Sequence, residues 1–222
     1  MALIGRNPAD NAYFCAMNQS NSCERIHPGT KQLKRKQAIE VPEGTTEVLL
    51  HACCAPCSSA IVEWLVAHGI RPVIYYFNPN IYPEQEYLVR KEESKRHAAS
   101  LGLRWIDGDY DHARWLAAMK GMEQEPERGR RCQHCFRYRL LATAHMAREQ
   151  GIRVFATTLA SSRWKSLEQI ELAGKAAEAA VEGTFFWAQN WRKGGLQERR
   201  NQLLREYDFY NQLYCGCEFS MH

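Results

Sequence analysis

The chain has 222 residues, of which 45% are hydrophobic and 24% charged, and its formal net charge is +4. No apolar run approaches the roughly 18 residues that a membrane span needs, and no basic start followed by an apolar core marks a secretory signal. Composition therefore predicts one large globular domain in the cytoplasm, without a membrane partner. The nine cysteines are unusual, because closely spaced cysteines in such a protein are more often metal ligands or redox groups than structural disulfides.

Residues 1–46 differ from the rest of the chain. They are rich in Asn, Ser, Lys, Arg and Pro and lack periodic apolar positions, which predicts a flexible N-terminal extension. Cys15 and Cys23 lie in this extension at a spacing that matches no ligand pattern, so we expect neither to belong to a site. The regular pattern begins near Glu47 and predicts a folded domain over 47–222.

Short apolar strands alternate with helices along the folded part. Strands are predicted over 48–52, 72–77, 103–106, 154–158 and 184–187, and helices over 56–69, 84–101, 111–120, 135–149, 166–182 and 196–213. This alternation predicts an α/β fold with a parallel sheet covered by helices on both faces. Ligands of such sheets bind beyond the carboxyl ends of the strands, so the residues that follow each strand are the first candidates for a site.

The first cysteine group directly follows the first predicted strand. Cys53, Cys54 and Cys57 lie in the turn between this strand and the first helix, so we expect them at the carboxyl edge of the sheet. A helix N-terminus carries partial positive charge and free backbone N–H groups, and both favour thiolates. The turn is therefore a candidate site for a metal or for thiol chemistry.

A second cysteine pair, Cys132 and Cys135, lies at the start of a predicted helix. Two such groups meeting at one edge would surround a metal with four thiolates, a set that selects zinc or an iron–sulfur cluster. A structural zinc site stays open at this point, although it explains neither Cys57 nor the location at the functional edge.

The third group is Cys215-Gly216-Cys217, at the end of the last predicted helix. A disulfide across one residue closes a small, strained ring, and strained disulfides tend to be labile or catalytic. Two free thiols near the C-terminus are the alternative.

Basic residues cluster near 128–139 and again over 192–205. Clustered arginines suit a polyanion such as nucleic acid, although a solvated helix face has the same composition. Candidates for stacking on bases are Trp164, Trp187 and Trp191, although we expect Trp187 to be buried in the core. The sequence contains no Walker-type phosphate loop, no dinucleotide fingerprint and no Ser-Gly-Gly run after the first strand, which argues against a tRNA-thiolating enzyme.

Several motifs, taken in order, resemble those of the QueH family of epoxyqueuosine reductases, which act in the last step of queuosine biosynthesis in tRNA. The resemblance covers about residues 47–220. It rests on His51-Ala52-Cys53-Cys54-Ala55-Pro56-Cys57, on Tyr76-Phe77-Asn78-Pro79-Asn80-Ile81-Tyr82-Pro83 with Glu86-Tyr87 and Arg90, on Arg131-Cys132-x-x-Cys135-Phe136 with Arg139-Leu140, on Thr157-Thr158-Leu159 with Ser161, Ser162 and Lys165, and on Tyr214-Cys215-Gly216-Cys217-Glu218-Phe219-Ser220.

The resemblance implies a four-iron, four-sulfur cluster whose ligands are Cys53, Cys54, Cys132 and Cys135. It also implies a redox-active disulfide between Cys215 and Cys217 as the catalytic pair. An additional iron ion beside the cluster is implied as well, with Cys57 as a candidate ligand. Residues 47–222 would then form an iron–sulfur α/β reductase domain, Rossmann-like and similar to ATP-pyrophosphatase-type folds.

The reaction that the resemblance implies is the two-electron reduction of epoxyqueuosine, at the wobble position of tRNA, to queuosine with loss of water. The implied partners are tRNA carrying epoxyqueuosine in the anticodon and an electron donor that the sequence does not identify. Candidates for the acid that protonates the leaving oxygen are Asp109, Asp111, Tyr82 and Glu86. Two other classes stay open, a zinc-containing thiol–disulfide oxidoreductase and a non-catalytic RNA-binding module.

Overall fold

A computed structural model describes residues 39–221 of the chain. The predicted flexible extension, with Cys15 and Cys23, lies almost entirely outside the described residues. The described elements are β1 (Glu47–His51), α1 (Ala55–Ala67), β2 (Arg71–Tyr76), α2 (Glu84–Ser100), β3 (Trp105–Asp107), α3 (His112–Ala118), α4 (Arg130–Glu149), β4 (Val154–Thr157), a 3-10 turn (Thr158–Ser161), α5 (Leu167–Ala180), β5 (Phe185–Phe186), α6 (Leu196–Glu206) and a second 3-10 turn (Glu218–Ser220).

The five strands are all parallel and form one sheet in the order β3-β2-β1-β4-β5. Leu49 at the centre of β1 is in register with Val73 on β2 and with Phe155 on β4. The chain adds β2 and β3 on one side of β1 and then returns to add β4 and β5 on the other side. Open parallel sheets bind ligands at the point where the strand order reverses in this way, here between β1 and β4. The predicted α/β fold with a parallel sheet is confirmed.

The apolar runs found in the sequence form the centre of this sheet. Val48, Leu49 and Leu50 on β1 are buried, as are Phe155 and Ala156 on β4. A parallel strand buried on both faces has a nearly continuous apolar sequence, which is why these short strands can be predicted. Helix α1 packs against α2 and α6, while α4 packs against α5. Within residues 39–221, no helix combines the length and the apolar character needed to cross a membrane.

Two predicted helix boundaries are wrong, and both errors bear on the site. Helix α4 begins at Arg130 rather than near 135, so Cys132 and Cys135 lie inside its first two turns. Helix α6 ends at Glu206 rather than near 213, because Asp208 adopts a left-handed conformation with φ 50° that a helix cannot continue. Residues 207–221, which we call the C-terminal segment, carry Cys215 and Cys217 and have no α-helix.

Candidate active site

Cys53 and Cys54 in the turn after β1 and Cys57 in the first turn of α1 form a compact group, which we call the three-thiol group. Their sulfur atoms all lie within 4.8 Å of one another, and the Sγ atoms of Cys53 and Cys54 are 3.9 Å apart. Cys54 is buried and the other two are half-buried. Thiolates are soft donors that select zinc, copper(I) or iron–sulfur clusters. The donor chemistry therefore fits a thiophilic metal ion or cluster.

Side chains from neighbouring loops hold the main chain of this turn. The backbone N–H of Cys53 donates to Thr158 Oγ1 over 3.2 Å, and Thr158 follows β4. The carbonyl oxygen of Ala52 accepts from Asn78 Nδ2 over 2.9 Å, and Asn78 follows β2. Arg139 on α4 donates in turn to Asn78 Oδ1. The turn is thereby tied to the loops after both neighbouring strands and to α4.

The three thiols differ in acidity. Hydrogen bonds from Cys54 and Cys57 hold the pKa of Cys53 well below its ordinary value. The hydrogen bond with Cys53 is also the main cause that raises the pKa of Cys54 well above its ordinary value and that of Cys57 to about 11. Burial alone would lower the pKa of Lys165, but the charges of Cys215, Cys53 and Cys57 outweigh burial and raise it. Cys53 is therefore the most acidic thiol of the group, with an ammonium nearby.

His51 lies two residues before Cys53, at the end of β1. Burial, and then the charge of Arg139, lower its pKa to about 3, so the imidazole is neutral at pH 7. One ring nitrogen lies 2.8 Å from Thr157 Oγ1 and the other 3.1 Å from the carbonyl oxygen of Phe77. A neutral ring can donate at one nitrogen and accept at the other. His51 therefore links β1 to β4 and to the loop after β2.

A cavity beside Lys165 is lined by four further thiols, Cys132, Cys135, Cys215 and Cys217. The charge of Lys165 also interacts with Cys53 and Cys57 of the three-thiol group. The charged residues that line the cavity are Arg128, Arg131, Arg139, Lys165 and one carboxylate, Glu127. Asn80 also lines the cavity, and its Oδ1 atom is buried without a hydrogen-bond partner among the described residues. The cavity therefore combines thiols, an excess of positive charge and a free hydrogen-bond acceptor.

The C-terminal segment reaches the cavity through a few polar contacts. The backbone N–H of Tyr82 donates to the carbonyl oxygen of Gly216 over 2.8 Å. The Arg90 guanidinium donates to the carbonyl oxygens of Cys215 and Tyr214, each over 3.4 Å. All seven described cysteines are free thiols, so the disulfide predicted for the C-terminal pair stays a prediction.

The four predicted cluster ligands come to one edge of the sheet but not into one group. Cys53 and Cys54 belong to the three-thiol group, whereas Cys132 and Cys135 lie on the cavity wall. Over residues 39–221, the three-thiol group is the one cluster of three or more metal-ligating side chains. The predicted ligand set stays a prediction, and Cys57 lies beside Cys53 and Cys54, as its position in the sequence indicates.

Gln212 contributes to the site although no sequence motif points to it. Its Nε2 atom lies 3.2 Å from the Sγ atom of Cys54 and 3.8 Å from that of Cys57. The sequence placed Gln212 in the last helix, where its side chain had no defined partner. Because α6 ends early, this side chain instead joins the C-terminal segment to the three-thiol group. In the sequence, Lys165 was identified only as part of a motif that resembles the QueH family, and no role was predicted for it.

The candidates for RNA contacts and for acid catalysis separate into buried and exposed residues. Arg131 is only 2% exposed and donates to three carbonyl oxygens of the loop before α4, so it holds that loop. Trp187 and Trp191 are buried and cannot stack on a base.

Of the candidates for acid catalysis, Glu86 is paired with Arg90. Asp111 caps α3 through the N–H of Arg114, whereas Asp109 and Tyr82 are exposed.

Fold and site together define a parallel α/β protein with a cysteine-rich candidate metal site at the carboxyl edge of its sheet. A family model described as epoxyqueuosine reductase QueH matches residues 48–222. The chain belongs to this family, and the resemblance seen in its motifs is confirmed.

Curated relatives carry the same description. The protein of Histophilus somni is 46% identical over 183 residues, which cover 82% of this chain and 75% of the relative. That of Haemophilus influenzae is 44% identical over 186 residues, 84% of this chain and 76% of the relative. That of Acinetobacter baylyi is 43% identical over 188 residues, 85% of this chain and 86% of the relative.

Proposed function

We propose that this chain is an epoxyqueuosine reductase, an oxidoreductase that converts epoxyqueuosine in tRNA to queuosine at the cysteine-lined cavity. The observation that carries the proposal is the convergence of seven thiols, from three separate parts of the chain, at one edge of the sheet. A structural zinc site would need only four of them. An RNA-binding module would need no thiol on the C-terminal segment.

The fold supports an enzyme of Rossmann-like type, similar to ATP-pyrophosphatase-type enzymes, with helices on both faces of the sheet. The strand order β3-β2-β1-β4-β5 is that of the first five strands of a doubly wound sheet. Connections between parallel strands are right-handed, so the helices that follow β1 and β4 belong on opposite faces. The cysteine turn then occupies the place of a phosphate-binding loop.

In this proposal, a four-iron, four-sulfur cluster is held by Cys53, Cys54, Cys132 and Cys135. Cys57 is left as a ligand for an additional iron ion. Both assignments are supported by the chemistry of the donors, because clusters of this kind are held by thiolates. When bound, the cluster would supply single electrons to the substrate, a chemistry that cofactors usually carry.

The residues of the cavity would bind and orient the modified base. Lys165 keeps its positive charge beside the thiolates and lines the cavity, so it can donate a hydrogen bond to the oxygen that leaves. Asn80 offers its unpartnered Oδ1 atom to a hydroxyl group of the substrate. A base must leave its stack to enter such a cavity, as bases in single-stranded RNA loops can.

The C-terminal pair would be the redox pair of the reaction. Oxidation of the Cys215 and Cys217 thiols to a disulfide releases two electrons and two protons. Reduction of an epoxide to an alkene and water consumes two electrons and two protons, so the two half-reactions balance. An external donor, whose identity is open, must then return two electrons and two protons to restore the thiols.

The first experiment is anaerobic purification, followed by a visible spectrum, an iron and sulfide determination and an assay on tRNA that carries epoxyqueuosine. We expect about four or more irons per chain, a broad visible absorption that dithionite bleaches, and formation of queuosine. A colourless protein that holds stoichiometric zinc, takes up no cluster on reconstitution and leaves epoxyqueuosine unchanged would contradict the proposal and favour the zinc oxidoreductase.

A further inference from the structure

Trp164 is the one tryptophan among residues 39–221 whose side chain is mostly in water. It is 63% exposed, whereas Trp64, Trp115, Trp187 and Trp191 are buried. It also lines the thiol cavity. A single exposed apolar side chain is ordinary on a protein surface, so its meaning depends on how the surrounding turn is built.

The turn over 162–165 is held from two sides by arginine side chains. Arg128 donates to the carbonyl oxygens of Trp164 and Arg163, over 2.8 Å and 3.0 Å. Arg192 donates to two further carbonyl oxygens of the same turn. Both guanidinium groups are thereby directed to one short stretch of backbone. The indole of Trp164 is consequently displayed by a main chain with few ways to move.

No ion pair neutralises the arginines of this turn among the described residues, although Glu127 also lines the cavity. The arginines bind carbonyl groups, and across residues 39–221 no ion pair joins Arg128, Arg163 or Arg192 to a carboxylate. The Arg163 guanidinium lies 4.8 Å from the centre of the Trp164 ring. Partial burial, and the charge of Arg128, lower the pKa of Arg192. Like charges held together without a counter-ion attract an anion such as a phosphate group.

We propose that the turn over 162–165 is a nucleotide platform, on which Trp164 stacks against an unpaired base while Arg128 and Arg163 attract the adjoining phosphates. The inference rests on the proposed function. It assigns to the platform a nucleotide of the anticodon loop that neighbours the one entering the cavity. Exposed aromatic side chains combined with basic groups are the common means of binding single-stranded RNA. Because stacking tolerates any base, the platform would position the loop and leave the choice of base to the cavity.

The test measures the affinity for a fluorescently labelled anticodon stem-loop RNA by anisotropy at fixed salt. We expect Trp164→Ala to weaken binding about tenfold, the size of a lost base–aromatic stack. Trp164→Phe keeps an aromatic face and should stay within about threefold of the unsubstituted chain. Val66→Ala is the matched control, since Val66 is an exposed apolar residue at the end of α1 and should not change the affinity. Thermal unfolding checks that every variant is folded.

The charge component has its own readout. Arg163→Gln should make the slope of log Kd against log salt shallower by about 0.7, the value for one phosphate contact on a single strand. Trp164→Ala should leave that slope unchanged, because stacking involves no counter-ion release. If the slope of log Kd against log salt becomes shallower by the same amount in both variants, the separate roles given to the Trp164 ring and the Arg163 guanidinium are contradicted.

The platform is overturned if Trp164→Ala binds the RNA within twofold of the unsubstituted chain, or if Trp164→Phe binds as weakly as Trp164→Ala. If Trp164→Ala binds the RNA normally but accepts electrons more slowly from an acidic electron-donor protein, this surface binds the donor and the platform is rejected. If the unsubstituted chain converts epoxyqueuosine and Trp164→Ala binds normally, the platform fails while the proposed function stands. If the unsubstituted chain converts no epoxyqueuosine, the proposed function is rejected, and the platform that rests on it is rejected with it.

Discussion

The three-thiol group and the C-terminal segment bring thiols to the same edge of the sheet, but they are held differently. The three-thiol group spans the turn after β1 and the first turn of α1, and Thr158 and Asn78 tie the main chain of that turn to the loops after β4 and β2. The C-terminal segment has no strand and no α-helix. It depends on single contacts, among them those of Arg90 and Tyr82 with its carbonyl oxygens.

This difference separates two tasks that the proposed reaction demands. Metal ligands must keep their geometry, and a turn held by regular structure on both sides does so. A redox pair must react with a donor between turnovers, and a segment without a strand or an α-helix lacks the cooperative backbone hydrogen bonds that resist local opening. We therefore expect changes in the turn to affect metal content, and changes in the segment to affect turnover or thiol reactivity.

The largest expected effect comes from the cysteines themselves. Cys53→Ser should abolish both queuosine formation and most iron binding, because serine is a poor ligand for a soft metal. Cys217→Ser should abolish queuosine formation while iron and sulfide stay at the level of the unsubstituted chain. The measurement is iron and sulfide content beside turnover on epoxyqueuosine-containing tRNA. Full iron content in Cys53→Ser would remove that residue from the predicted ligand set.

Acid should destabilise the packing at the start of the C-terminal segment. His97 on α2 packs edge-on against Tyr207 and Phe209, and burial, followed by the charge of Arg96, lowers its pKa from 6.5 to about 4. As pH falls through this window the unfolded chain binds a proton that the folded chain does not. Stability that is fully present above pH 6.5 is therefore lost toward pH 4, by about 3 kcal/mol for this group.

Urea unfolding at a series of pH values checks this expectation. His97→Gln cannot take up the proton, so its stability should depend less steeply on pH than that of the unsubstituted chain. His51, with its lowered pKa, acts in the same direction, so part of the dependence should remain. His145→Gln, at an exposed position of α4, is the matched control. Equal pH dependence in His97→Gln and in the unsubstituted chain would reject the role of His97.

Adding a side chain at Gly216 tests how closely the C-terminal segment must pack against Arg90 and Ile81. Gly216 has φ 130°, and an added Cβ atom would lie 3.1 Å from Arg90 Nη1 and 3.2 Å from Ile81 Cγ1. Gly216→Ala should displace the Cys215–Cys217 pair and lower turnover about tenfold, since the strain and the contact together cost on the order of 1–3 kcal/mol. Iron content should not change.

Gly183→Ala is the control for Gly216→Ala. Gly183 has φ 83° and open space around its added Cβ atom, and it lies in the turn before β5, away from the cavity. It should lose about 1 kcal/mol of stability without loss of turnover. Equal turnover in the two alanine variants would show that the position of the segment does not limit the reaction.

The smallest expected effect concerns the hold of Arg90 on the segment. Arg90→Lys keeps the charge beside Glu86 but cannot span the carbonyl oxygens of Cys215 and Tyr214 as the planar guanidinium does. We expect about 1 kcal/mol of lost stability and a several-fold faster alkylation of the two C-terminal thiols. Arg71→Lys, at an exposed ion pair with Glu47, should change neither quantity. Alkylation at the unsubstituted rate in Arg90→Lys would mean that other contacts hold the segment.

Much of the fold and the first part of the site could be read from the residues in order. The apolar runs of β1, β2 and β4 have too few polar positions for any surface element, so they predict buried parallel strands. A helix starting at Pro56 then places Cys53, Cys54 and Cys57 at the carboxyl edge. Each of these inferences uses neighbours in sequence, because backbone geometry couples residues only a few positions apart.

Other properties depend on contacts between distant parts of the chain. Periodicity extends the last helix to about 213, but Asp208 ends it and Phe209 becomes buried while Leu213 is left 93% exposed. The approach of Gln212 to two thiols follows from that early end. Packing likewise decided that Trp191 is buried and that Trp164 is exposed at the cavity. Sequence patterns thus determined which chemistry this protein carries and at which edge, and tertiary packing decided which side chains meet, because burial and long-range hydrogen bonds depend on the whole fold.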